Sequence, residues 1–128
     1  MSGYVHCVGE GDAYDWRGAR VVMKASGEDT AGQLAVMEST YPPGLSVPAH
    51  FHTVEDEMLY LLAGELHGFC DDDRWTAMPG SFVFVPRGRP HGFIVISDEP
   101  ARALVIVGPP RLDRQIGATG TLIPHPNA

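Results

Sequence analysis

An all-β chain folded as a sandwich or barrel is what this sequence predicts, and three observations carry that reading. Helical periodicity is weak everywhere. The segments that do show a pattern are short, rich in Val, Ile, Phe and Tyr, and closed by Gly or Pro. Turn signals return every eight to twelve residues, the spacing expected of strands in two-sheet folds.

The elements follow in order. Residues 20–24 (Arg-Val-Val-Met-Lys) read as the first strand, ended by the polar loop 26–32. The second covers 34–41 and stops at Pro42-Pro43-Gly44. Residues 50–52 make a short third, and 57–62 a fourth that Gly64 breaks. In that fourth strand, alternation turns Glu57, Leu59 and Leu61 inward and Met58, Tyr60 and Leu62 outward. The fifth spans 66–70, followed by Asp71-Asp72-Asp73 as a solvated turn. Residues 81–85, capped by Pro86-Arg87-Gly88, are the sixth; 91–96 and 101–107 complete the set. One barrel over residues 20–108 is therefore expected. Residues 1–19 would pack on it through Tyr4 and Trp16. Residues 109–128 read as an irregular tail because of Gly117, Gly120, Pro124 and Pro126. In that tail Leu112, Ile116, Leu122 and Ile123 offer anchors for docking on the barrel mouth or on a partner subunit.

Composition sets the outer limits. A chain of 128 residues is about one domain long, and 44% hydrophobic with 20% charged is enough apolar material for a core. The net charge of −7, with no Lys/Arg cluster to offset it, argues against nucleic acid or an anionic membrane surface as a partner. No run of about 18 apolar residues is present to span a bilayer. Residues 1–10 lack the pattern of a secretory leader. Cys7 and Cys70 are too few for a disulfide framework and show no CxxC spacing, so two reduced thiols and a cytoplasmic location are expected.

The chemistry is concentrated in His50, His52, Glu57 and His91. Alternate side chains of a strand share a face, so His50 and His52 would point two imidazoles into one space. A nearby carboxylate and a third imidazole make the set suitable for a divalent metal. His6 and His125 read as structural. Phe93, two residues beyond His91, should share its face and wall a substrate pocket, with Leu59 and His67 as further candidates. Arg87 and Arg89 read as rim residues.

Two spacings give these residues a wider meaning. Gly44, five residues, His50-Phe51-His52, four residues, Glu57, six residues and Gly64 form one cluster. Gly80, five residues, Pro86-Arg87-Gly88, two residues and His91 form the other, 15 residues on. Together they resemble the two signature motifs of the cupin superfamily, and the strand order from Arg20 to Val107 is similar to that of a small single-domain cupin. One position departs: Val95 stands where the second motif usually ends in Asn.

The resemblance implies a jelly-roll barrel of two antiparallel sheets with His50, His52, Glu57 and His91 as metal ligands, acting in catalysis through the metal. The six-residue distance to Gly64 selects Glu57 from Glu55-Asp56-Glu57. One divalent transition metal per chain is implied, Fe(II) first, with Zn, Ni and Mn as alternatives. Three neutral imidazoles and a carboxylate leave a divalent ion with net charge +1 and with open positions for water, O₂ or substrate. Glu28-Asp29-Thr30 and the stretch from Phe82 to Gly88 look most like quercetin-dioxygenase-like cupins; polyketide cyclases are the other similar group. Expected, then, is an oxygenase acting on a small organic, aromatic or polyketide-like substrate, with a cyclase or isomerase as the alternative. A non-catalytic small-molecule-binding cupin is a further alternative. A homodimer is expected from the apolar outer face of the fourth strand.

Overall fold

The computed structural model describes residues 3–124. Among these residues eleven strands and one short helix follow one another. They are β1 (Ala13–Trp16), β2 (Ala19–Ala25), β3 (Ala35–Tyr41), β4 (Ser46–His50), β5 (Asp56–Ala63), β6 (Leu66–Cys70), β7 (Asp73–Ala77), β8 (Phe82–Val85), β9 (His91–Val95), β10 (Ala101–Gly108), α1 (Leu112–Thr119) and β11 (Thr121–Leu122). A seven-stranded sheet runs β11-β1-β2-β3-β10-β5-β8, and a four-stranded sheet runs β4-β9-β6-β7. Every neighbouring pair is antiparallel. The all-β fold of two antiparallel sheets is the one the sequence predicts.

Alternation builds the core. Along β10, Ala101, Ala103, Val105 and Val107 are buried while the residues between them are not. Leu59 and Leu61 of β5 face the same interior, and Tyr60 and Leu62 face out. Met37, Leu61 and Leu66 are among the largest fully buried side chains. Gly64 ends β5 at φ +82, and a Cβ there would lie 2.6 Å from the Cα of Ala101. Only glycine meets both conditions.

Four elements differ from the sequence reading. β7 starts at the last residue of the expected Asp71–Asp73 turn and runs through residues to which the sequence reading assigns no element; it is an outer strand on which only Trp75 and Ala77 face inward, so its pattern is too thin to register. β1 is a paired strand rather than a packed segment, held between β2 and β11. The third strand ends at His50 instead of running through His52. The tail, expected to be irregular, contains α1, which buries Leu112 and Ile116, four residues apart on one face. Gly120 closes α1, donating its N–H to the carbonyl of Ile116 at 2.8 Å. Trp16 ties β1 to the helix, its Nε1 donating to Thr119 Oγ1 at 2.9 Å. No helix among the described residues is long and apolar enough to cross a membrane. His125 lies outside the described residues.

Candidate metal centre

A break in the pairing of β4 with β9 sets the site. Val47 pairs with Phe93 and His50 with His91, so the register shifts by one residue between them. Pro48, which has no N–H for the ladder, occupies the irregularity. The extra residue reverses the alternation, so that Val47 and His50 both line the interior cavity. His50 and His91 become cross-strand neighbours with ring centroids 4.2 Å apart. His52 arrives from the loop after β4, its backbone carbonyl accepting the N–H of Gly88 at 2.6 Å. Its ring lies 5.1 Å from that of His50 and 5.5 Å from that of His91.

One ring nitrogen of His50 and one of His91 are already hydrogen-bonded. His50 Nδ1 lies 2.9 Å from the carbonyl of Pro48, and His91 Nδ1 lies 2.9 Å from the carbonyl of Arg89. A carbonyl only accepts, so both Nδ1 atoms carry a proton, and in the neutral ring each Nε2 carries the lone pair. His52 Nδ1 has no backbone carbonyl of this kind; it faces Glu55 Oε1 at an ion-pair distance of 3.3 Å. Burial lowers the pKa of His50. Burial also opposes protonation of His91, but the Glu57 carboxylate and the Arg89 carbonyl outweigh it and leave that pKa raised.

The opposite nitrogens converge. Ligating atoms of His50, His52 and His91 lie within 4.8 Å of one another. Glu57 Oε1 lies 3.7 Å from His52 Nε2, and its Oε2 lies 3.4 Å from His91 Nε2. Nε2 of His52 and Nε2 of His91 are buried with no hydrogen-bond partner. Each such orphan costs about 1–3 kcal/mol, a cost that a shared cation would remove. The donor set therefore fits a divalent transition metal.

The three adjacent acids point three ways. Asp56 is engaged at the surface, accepting from the Arg87 backbone N–H at 2.9 Å and from its guanidinium at 3.2 Å. Those bonds hold the Asp56 carboxyl below the usual range. Glu57 faces the histidines. Glu55 is 3% exposed, and its Oε2 accepts the N–H groups of Arg111 and Leu112, at 2.8 and 3.0 Å, where α1 begins.

A cavity of about 220 Å³ adjoins the cluster, lined by His50, His52 and Glu57 together with Leu59, Phe93 and Tyr41. Leu112, Gln115 and Ile116 of α1 form part of its wall. Phe93 meets Tyr41 edge to face at 5.1 Å. His67 is exposed on the outer side of β6 and is not among the residues lining this cavity, because its strand neighbours Leu66 and Gly68 take the inward positions. Arg87 and Arg89 are each paired at the surface, the latter with Asp71 at 3.2 Å. Tyr41 and Glu55 went unnoticed in the sequence. Tyr41 reads only as the end of a strand before two prolines, and Glu55 only as a rival to Glu57.

Comparison with known proteins settles the family. The family described as Cupin domain matches residues 37–107, more than half of the chain. The chain belongs to the cupin family. This cupin is 30% identical over 90 residues to quercetin 2,3-dioxygenase of Bacillus subtilis (strain 168), covering 70% of its own length and 27% of that protein. It thus spans about a quarter of that curated relative. Among solved structures it resembles the polyketide cyclase RemF from Streptomyces resistomycificus, with a TM-score of 0.67 and 28% identity over 87% of this chain and 82% of that one. KdgF from Halomonas sp. shares the fold, with a TM-score of 0.77 and 18% identity over 88% of this cupin and 99% of that chain. Val95, at the usual Asn position of the second motif, is 2% exposed and is part of the apolar core.

Proposed function

We propose that this cupin is a metal-dependent enzyme acting on a small organic substrate, with His50, His52, Glu57 and His91 holding one divalent transition metal. The observation that carries the reading is the convergence of the unpartnered Nε2 atoms of His52 and His91 on the Glu57 carboxylate, with His50 grouped alongside, next to a cavity. Such an ion, when bound, supplies polarisation of a substrate oxygen and, if redox-active, reactivity toward O₂. Fe(II) is the first choice.

The chain's own residues do the rest. Leu59, Phe93 and the apolar side of α1 bury the substrate and exclude water. Burial pushes the pKa of Tyr41 up, so its hydroxyl keeps its proton and serves as a donor within the cavity. A cavity of about 150 Å³ holds a benzene ring, so this one suits a single substituted ring or a compact dicarbonyl.

Oxygenation is the first reading, supported by similarity to the quercetin dioxygenase. Cyclisation or isomerisation is the second, supported by similarity to RemF over most of both chains. Oxygen uptake by Fe(II)-loaded protein with catechols, flavonols and polyketide phenols separates them. Uptake matched to substrate loss is expected. Turnover under strict anaerobiosis would remove the oxygenase reading and leave the cyclase. A cytoplasmic location and a homodimer joined through the outer face of β5 and β8 belong to the same proposal.

A further inference from the structure

Glu55 is a buried carboxylate with two engagements that belong to different parts of the molecule. Oε2 accepts two backbone N–H groups at the start of α1, from residues 56 and 57 positions away in sequence. Oε1 faces Nδ1 of His52 at 3.3 Å. The helix has no side-chain cap of its own at Arg111, so Glu55 supplies what the local sequence lacks.

We infer that Glu55 is a positioning residue that sets His52 and α1 together: one oxygen fixes the imidazole with its proton on Nδ1, and the other anchors the helix that walls the cavity. The inference rests on the metal-site reading for its consequence, though not for its geometry. His50 and His91 have backbone carbonyls to hold their Nδ1 protons. His52 lies beyond the end of β4, and the group facing its Nδ1 is the Glu55 carboxylate. Without that acceptor the ring is free to place its proton on Nε2, the atom that faces Glu57, and a protonated nitrogen cannot ligate.

Glu55→Gln separates the two roles. Two N–H donors at the helix start require the amide oxygen, so the NH₂ group must turn toward His52. A donor there forces Nδ1 to accept and moves the ring proton to Nε2, while α1 stays anchored. Long-range ¹H–¹⁵N correlation spectra of the metal-free protein read the tautomer directly. Expected is Nδ1–H for His52 in the wild type and Nε2–H in Glu55→Gln, with His50 and His91 unchanged. Titration with Mn(II) or Zn(II) should then show affinity about 10–100-fold weaker for the variant, at an unchanged far-ultraviolet circular dichroism spectrum.

A wild-type His52 carrying its proton on Nε2 would overturn the inference with no variant needed. So would a Glu55→Gln protein whose tautomer and metal affinity match the wild type. If the wild type bound no metal, the functional proposal would fail, yet the metal-free spectra would still decide the role of Glu55.

Discussion

At the scale of residues, three consecutive acids show how backbone geometry divides labour that composition cannot. Glu55, Asp56 and Glu57 leave the chain where a loop becomes β5, and each meets a different partner: the start of α1 with His52, the surface Arg87, and the two orphaned imidazole nitrogens. The buried charge of Glu55 is compensated by two amide donors and the positive end of a helix. Motif spacing singles out Glu57 from its neighbours. Spacing gave no role to Glu55, whose partners lie far along the chain, and such a long-range contact leaves no local signal.

At the scale of elements, α1 is the most informative piece. Its eight residues are too few to be stable alone. They hold because Leu112 and Ile116 bury against the sheet, Glu55 anchors the beginning, and Asp113 Oδ2 accepts the Gly27 N–H at 2.8 Å. Ile116 is 1% exposed, so Ile116→Ala should cost about 3 kcal/mol and lower Tm by roughly 10 °C. A thermal melt checks this, and a loss under about 1 kcal/mol would mean that the helix is not docked. The apolar anchors of the tail were legible in sequence, since Leu112 and Ile116 stood out among prolines and glycines. The helix itself was not, because its cap comes from a distant residue. The strands from β2 to β10 were legible wherever one face is apolar, as in β5 and β10, and were missed in β7, where Asp73, Arg74 and Thr76 hide the alternation. The strand placing His50 and His52 on one face was also misread. A register shift at Pro48 turns His50 inward, and a loop carries His52 to it.

At the scale of the whole molecule, the two sheets leave one interior and one conspicuous exterior. Tyr60 pairs with Phe82 and Met58 with Phe84 across β5 and β8. Tyr60, Leu62, Phe82 and Phe84 are all exposed. An apolar group of this kind on an outer sheet face is characteristic of an interface, and β8 is the edge strand of its sheet. Sedimentation of the wild type at micromolar concentration should give the mass of a dimer, and Phe82→Glu with Phe84→Glu should give a monomer. A monomeric wild type would contradict the proposed assembly without touching the proposed metal centre, whose residues all come from one chain.

That centre is tested most directly by isothermal titration of the chelator-treated protein with Fe(II) under anaerobic conditions, alongside His91→Ala. One ion bound per chain, and none measurable in a variant that keeps its β-sheet circular dichroism, is the expected result. A wild type that takes up no ion, or a variant that binds as tightly as the wild type, would contradict it.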